Sequence, residues 1–116
     1  MSETKIEETE YGGFGKCIRI SNGSIQVMVT VDFGPRIINF SFVKGVNEFC
    51  ENHSEATPLP DGEWKIRGGH RLWHSPESMP RTYFPDDSPV NWTAIDGGIR
   101  VSQPLEKWTQ VKKEID

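Results

Sequence analysis

Cationic and aromatic side chains are concentrated in one stretch of the chain, between residues 67 and 84. Guanidinium groups donate several hydrogen bonds in a fixed plane, which suits hydroxyl-rich or phosphorylated ligands such as sugars. Aromatic rings in the same stretch add an apolar platform for one face of a sugar ring. The sequence therefore predicts a substrate-binding site formed by Arg67, His70, Arg71, Trp73, His74, Arg81 and Tyr83.

The same arginines have a structural alternative. Acidic residues lie nearby at Glu77, Asp86 and Asp87, so that ion pairs between the two groups would pin a long loop. We keep both hypotheses, because loops that combine arginines with aromatic residues are often binding sites.

Histidine is the residue type best suited to proton transfer near neutral pH, because its ordinary pKa is close to 7. His70 is a weak candidate for a catalytic acid or base, since it follows Gly68 and Gly69, where the backbone can approach a ligand closely. Cys17 is expected to be a small buried side chain in a strand rather than a nucleophile.

Two local spacings resemble those of zinc ligands. Cys50 and His53 form a C-x2-H pair, and His70 and His74 form an H-x3-H pair. An H-x3-H pair needs a helix to bring both side chains to one face, but Pro76 follows at once and helical periodicity is absent. The sequence predicts neither a metal site nor another cofactor.

A β-hairpin precedes these residues. Residues 15–20 and 25–31 are apolar runs joined by Ser21-Asn22-Gly23-Ser24, and Asn-Gly between such runs is a strong hairpin signal. The second run alternates in period two, which places Ile25, Val27, Val29 and Val31 on one face.

The rest of the chain also has the pattern of strands and loops. A third strand is predicted over residues 36–43, with Ile38, Phe40 and Phe42 on one face, and a short fourth strand over 46–50. A proline-containing surface loop follows at 51–62, and a brief strand at 63–67. Residues 68–89 form a long, site-like loop, strands follow at 90–95 and 99–103, and another begins within 107–115.

Composition limits the class of protein. The chain has 116 residues, 34% of them hydrophobic, with 11 glycines and 8 prolines, which indicates one loop-rich all-β domain. Residues 1–13 are expected to be a flexible, charged N-terminus without a secretory signal, and residues 14–116 a single β domain. No segment is long and apolar enough to span a membrane, and the net charge of −4 argues against nucleic-acid binding. We expect a cytoplasmic protein with reduced cysteines.

Two segments resemble a known family. The run ISNGSIQVMVTVDFGPRIINFSF, from Ile20 to Phe42, is similar to the N-terminal signature of the galactose-mutarotase-like (aldose epimerase) superfamily. The run IRGGHRLW, from Ile66 to Trp73, is similar to the Arg-Gly-Gly segment of hexose-6-phosphate epimerases. The longer stretch from Gly69 to Asp87 resembles an uncharacterised bacterial branch of the superfamily, and the likeness covers most of the chain from Ile18 to Ile115.

The resemblance implies an antiparallel β-sandwich that binds a sugar, with a His and a Glu interconverting its anomers. Arg67, and loosely His70, match positions of the family pattern, whereas this chain offers no match for the catalytic Glu. We therefore expect the N-terminal part of a larger sandwich, which binds a sugar or sugar phosphate but lacks the full catalytic set.

A second hypothesis is a non-catalytic structural or protein-interaction module. An incomplete sandwich leaves strand edges open, and open edges pair readily with other chains. Under both hypotheses we expect self-association into a homo-oligomer, or completion of the sheet by a missing C-terminal part.

Overall fold

The computed structural model describes residues 4–54, 56–59, 62–73, 75–79, 81–83, 85–107 and 109–116. The regular elements of these residues are ten strands and one short 3-10 helix. The strands are β1 (Lys5–Glu10), β2 (Lys16–Ser21), β3 (Ile25–Thr30), β4 (Arg36–Phe42), β5 (Ala56–Leu59), β6 (Gly62–Lys65), β7 (His70–Arg71), β8 (Asn91–Ile95), β9 (Gly98–Ser102) and β10 (Glu114–Ile115). The 3-10 helix is Arg81–Tyr83.

The strands form antiparallel sheets. Five of them make one sheet in the order β1-β2-β3-β4-β7, three make a second in the order β10-β9-β8, and β5 and β6 form a separate two-stranded ribbon. The prediction of an all-β, antiparallel, sandwich-like fold is confirmed.

The predicted β2–β3 hairpin is present, and the strands predicted at 90–95 and 99–103 form a second hairpin. In the β2–β3 turn, the Asn22 side-chain oxygen accepts hydrogen bonds from the backbone N–H groups of Ser24 (2.9 Å) and Ile25 (3.0 Å), and Gly23 has a φ of 91°. The β8–β9 hairpin turns at Asp96 and Gly97, as the Asp-Gly-Gly sequence predicts. Local turn chemistry therefore determines these two pairings.

The core is divided between the two faces of the five-stranded sheet. On the inner face, Ile18 and Val29 pack against Ile99 and Val101 of the second sheet. The backbone N–H of Val90 donates to the carbonyl of Val31 (2.9 Å), which joins the two sheets at the end of β3. The outer face holds a second buried cluster of Phe14, Cys17, Met28, Phe33 and Ile38.

A register shift in β4 changes which residues share a face. Met28 pairs with Asn39 but Val29 pairs with Ile37, so that Ile38 is an extra residue and enters the outer cluster. The prediction that Ile38 shares a face with Phe40 and Phe42 is therefore wrong. Ile37 takes that place on the inner face.

The second sheet covers only part of the inner face. Ile25 pairs with Phe42, and Val27 with Phe40, at the end of the sheet away from the Ile18–Val101 core. Ile25 is 39% exposed, Phe40 40% and Phe42 70%. We call these three residues the uncovered apolar patch.

Strand β1 occupies part of the predicted flexible segment over residues 1–13. It pairs with β2 from Lys5–Ser21 to Glu10–Lys16, and Ile6 packs against the inner core. The Nη1 atom of Arg19 also contacts a Glu7 carboxylate oxygen at 2.7 Å. Charged residues here belong to an edge strand, whose exposed side chains discourage pairing with other chains.

Two other predictions differ from the structure. Residues 46–50 form bends and irregular backbone rather than the predicted fourth strand. The Asn47 side chain makes the contacts that a strand would make with β4: its oxygen accepts from the Phe40 N–H (3.0 Å) and its amide donates to the Ile38 carbonyl (2.9 Å). Strand β5 lies within the predicted loop 51–62. Pro58 is tolerated there because β5 has a partner on one side only, among the described residues.

The predicted loop 68–89 contains β7 and the 3-10 helix, and within 107–115 the described residues form a strand only at β10. None of the described helical residues makes a segment long and apolar enough to cross a membrane.

Candidate ligand-binding site

Residues from β4, β6 and β7 surround a cavity of about 240 Å³. Arg36 and Arg71 are directly paired on adjacent antiparallel strands, so that their side chains lie on the same face. We call the space between them the tryptophan cavity; its described lining is Arg36, Trp64, Ile66, Gly68, Gly69, Arg71 and Trp73.

The Arg36 side chain is buried, with only 1% of its surface exposed, and ties three parts of the chain together. Its Nε and Nη2 atoms donate to the two oxygens of Asp86, at 2.8 and 3.0 Å. Nη1 donates to the Ile66 carbonyl (2.6 Å) and Nη2 to the Lys65 carbonyl (3.3 Å). These bonds use the donating nitrogens of Arg36, which makes it the structural anchor of the cavity.

Arg71 is held differently. Its guanidinium carbon lies 5.2 Å from the ring centre of Trp64 and 5.3 Å from that of Trp73, which allows a cation–π interaction with each ring. Its Nη2 atom donates to the Thr82 carbonyl, and its Nε atom lies 3.8 Å from an Asp86 oxygen, too far for a hydrogen bond.

Three buried nitrogens at this cavity have no hydrogen-bond partner among the described residues: Nε and Nη1 of Arg71, and the indole nitrogen of Trp64. Burial lowers the pKa of Arg71, and the nearby Asp86 carboxylate opposes that shift. An arginine stays charged nonetheless, because its ordinary pKa is above 12. The site therefore keeps a positive charge and buried donors that lack acceptors.

Tyr83 completes the aromatic wall. Its ring meets Trp64 edge-on at a centroid distance of 5.0 Å and Trp73 at 6.2 Å. The Tyr83 hydroxyl donates to Glu77 (2.7 Å), and this bond raises the pKa of Tyr83. Trp73 is 47% exposed and so presents part of its ring to solvent at the mouth of the cavity.

Gly68 and Gly69 allow the backbone to pass close to its neighbours beside the cavity. Their φ angles are 91° and 67°. A Cβ atom would lie 2.0 Å from the Cys50 carbonyl oxygen at position 68, and 2.2 Å from the Ile37 carbonyl oxygen at position 69. No side chain fits in either place, so Gly69 is required for β7 to dock against β4, and Gly68 for the chain to pass beside Cys50.

Arg67 belongs to a different cavity, of about 290 Å³, together with Asp32, Phe33, His53 and Lys65 among others. Its guanidinium lies over the Phe33 ring at 3.5 Å and forms an ion pair with Asp87. Burial lowers the pKa of Arg67, while the Asp87 carboxylate raises it. This arginine is therefore already paired with a carboxylate and an aromatic ring.

The residues predicted to bind substrate are thus only partly brought together. Arg71 and Trp73 line the tryptophan cavity and Tyr83 packs against it, whereas Arg67 lines the other cavity. His70 is exposed in β7 and lines neither of the two. His74 and the side chain of Arg81 lie outside the described residues.

The ion pairs of the structural alternative also form. Arg67 pairs with Asp87, and Arg71 approaches Asp86. Pinning of the loop and formation of a cavity are therefore two results of the same contacts.

The site residues predicted from the sequence do not include Arg36, Trp64 or Asp86. Arg36 and Asp86 are 50 residues apart, and only the pairing of β4 with β7 brings Arg36 beside Arg71. The one available signal was the position of Arg36 at the start of an apolar strand, where a charge needs a partner once it is buried.

The described residues offer little nucleophilic or metal chemistry. Burial, followed by the nearby Asp32 and Glu10 carboxylates, raises the pKa of Cys17 to about 12, so its thiol is neutral at pH 7. No group of three or more His, Cys, Asp or Glu side chains in the described part of the chain is arranged to hold a metal ion.

Comparison with known proteins found no matching family model, no matching curated protein and no matching solved structure.

Proposed function

We propose that this chain is a carbohydrate-binding domain of the aldose-epimerase-like type, and that it holds its sugar in the tryptophan cavity. One observation carries the proposal. Arg71 is charged, nine-tenths buried, held between two tryptophan rings, and has an Nη1 atom without a hydrogen-bond partner beside an open cavity.

The lining has the two features that recognition of a sugar needs. Exposed indole surface on Trp73 suits the apolar face of a pyranose ring, and buried N–H groups suit its oxygens. A buried donor without an acceptor costs free energy, which a ligand oxygen would recover.

The lining supports binding of a sugar rather than its chemical conversion. The described lining residues include no His, Asp or Glu, the residue types that most often act as general acid or base.

The test is an NMR titration of isotope-labelled protein with glucose, galactose, mannose and their 6-phosphates. We expect saturable shifts of the Trp64 and Trp73 indole N–H signals. Trp92 is an internal control, because it packs against the inner core and its indole signal should not move.

Two arginine variants make the test specific. Arg71→Gln should abolish the shifts, whereas Arg100→Gln should not, because Arg100 lies on β9 and pairs with Glu114 and Asp116. Unchanged Trp64 and Trp73 signals at millimolar concentrations of every sugar would exclude the proposed function.

The uncovered apolar patch favours a second candidate, the protein-interaction module. Ile25, Phe40 and Phe42 are exposed together on one face of a sheet whose other end is buried. Large apolar side chains grouped on a surface are typical of protein contacts. A domain of this kind would bind another protein, or a second copy of itself, through this face.

A further inference from the structure

The polar groups that line the tryptophan cavity are all of one type. Among its described lining residues the polar side chains are Arg36, Trp64, Arg71 and Trp73. Guanidinium and indole groups donate hydrogen bonds but cannot accept them. The side chains of the lining therefore offer no acceptor to a ligand.

The acceptors nearest to these donors are already in use. Both Asp86 oxygens accept from Arg36, and so do the carbonyls of Lys65 and Ile66. The Thr82 carbonyl accepts from Arg71. Among the described lining residues, the buried side-chain groups without a partner are the N–H groups of Arg71 and Trp64.

The described residues give the two cavity arginines few close carboxylates. Within this part of the chain, Asp86 is the one carboxylate in ion-pair range of Arg36 or Arg71, and Glu106 acts on Arg71 only from a longer distance. Arg67 pairs with Asp87 and lines the other cavity. Among the described residues, Arg36 and Arg71 therefore share one close carboxylate, and its hydrogen bonds go to Arg36.

Neutral hydroxyls fit such a lining poorly. A sugar hydroxyl donates as well as accepts, so a hydroxyl buried among donors would lose its own bond to water without finding an acceptor. An ionised carboxylate or phosphate only accepts, and its charge strengthens each bond that it receives.

We infer that the tryptophan cavity selects a sugar derivative that carries an oxyanion, with Arg71 Nη1 and Trp64 Nε1 donating to that group. The inference rests on the proposed function and narrows its ligand class to acidic or phosphorylated sugars. Trp73, at the mouth of the cavity, then contacts the neutral part of the sugar.

The test compares ligands that differ only in the charged group. Affinities of the intact chain are measured for glucuronate, for glucuronamide as its neutral isostere, for glucose and for glucose 6-phosphate. We expect glucuronate or glucose 6-phosphate to bind at least about tenfold more tightly than the neutral ligands, which corresponds to about 1.4 kcal/mol. The tighter of the two identifies the oxyanion as carboxylate or phosphate.

The other outcomes distinguish the oxyanion inference from the proposed carbohydrate binding. Equal binding of glucuronate, glucuronamide and glucose would overturn the inference and leave the proposed function intact. Inorganic phosphate or acetate binding as tightly as the sugars would keep the oxyanion site and overturn carbohydrate recognition. Binding of none of these ligands would overturn both.

A variant tests the inferred contact between Arg71 and the oxyanion. Arg71→Gln should reduce the preference for glucuronate over glucuronamide to about one, and Arg100→Gln should leave it unchanged. If Arg71→Gln does not fold, the comparison of the two ligands on the unaltered chain still decides the question. A preference that survives in folded Arg71→Gln would contradict the role given to Arg71.

Discussion

The guanidinium of Arg36 joins β4 to the Lys65–Ile66 backbone and to Asp86, three places that are far apart in the sequence. Burial of a charge is costly unless partners compensate it, and Arg36 meets that cost with an ion pair and two carbonyl contacts. Arg71, on the neighbouring strand, has fewer bonds and keeps donors to spare. Two adjacent arginines thus differ: Arg36 is a structural anchor, and Arg71 is the residue that we propose to bind the ligand.

Loss of the Asp86 charge should therefore destabilise the whole domain. We expect Asp86→Asn to lower the free energy of unfolding by about 3–5 kcal/mol, because it leaves a buried guanidinium without its counter-charge. Urea denaturation followed by fluorescence would measure the loss. Asp87→Asn is the matched control, since the Asp87 side chain is 41% exposed and its pair should contribute less than about 1 kcal/mol. Equal effects of the two variants would contradict this account of Arg36.

The elements that could be predicted from the sequence are those determined by local chemistry. The Asn22-Gly23 and Asp96-Gly97 turns indicate their hairpins directly, and period-two alternation identifies β3. The direction of the β4 side chains could not be predicted, because one extra residue opposite Met28–Val29 shifts the phase of the strand. The strand predicted at residues 46–50 does not form, for a similar local reason: the Asn47 side chain makes the hydrogen bonds to the β4 backbone that a neighbouring strand would make.

The site could be predicted only in part, because the pairing of strands brings together residues that are distant in the sequence. The type and spacing of residues 67–84 pointed to Arg71, Trp73 and Tyr83, which do meet. Trp64 reaches them from the β5–β6 ribbon, and Arg36 from β4. No property of the sequence near these two residues indicates the register that brings them to the same cavity.

The approach of β7 to β4 should depend on Gly69. We expect Gly69→Ala to lower the free energy of unfolding by at least about 1–3 kcal/mol, since Ala is strained at a φ of 67° and its Cβ would meet the Ile37 carbonyl of β4. Thermal melting would measure the loss.

Gly98→Ala is the control for this variant. No atom lies within 4 Å of a Cβ at position 98, and its φ is outside the left-handed region. We expect Gly98→Ala to change stability by less than about 0.5 kcal/mol. A wild-type melting temperature in Gly69→Ala would show that β7 docks against β4 without this close approach.

At the scale of the whole molecule, the two sheets differ in size. Three short strands face a five-stranded sheet, so that the inner face is buried at one end and open at the other. The long edge strand β1 is rich in charge, and the opposite edge, β7, has two residues. Association through the sheet edges is thereby discouraged, and the uncovered apolar patch is the better contact surface.

Self-association should therefore proceed through the face of the sheet. We expect the chain to form dimers or larger species in sedimentation velocity, and Phe42→Ser to shift it towards monomer, because Phe42 is 70% exposed in the patch. Leu105→Ser is a matched control, since Leu105 is 55% exposed but outside β3 and β4. A wild-type chain that stays monomeric at high concentration, or equal effects of both variants, would contradict a contact through the patch.

The order of the strands along the chain also has a consequence during synthesis. The strands β1 to β4 are complete at Phe42, whereas the residues that cover their inner face, Ile99 and Val101, come about 60 residues later. At ribosomal rates of about 5–20 residues per second, roughly 3–12 s pass between the completion of β4 and the synthesis of the residues that pack on Ile18 and Val29. We therefore expect the nascent sheet to expose its apolar inner face during this interval, as a surface that a chaperone could bind, while Glu7, Glu8 and Glu10 keep its first edge negatively charged.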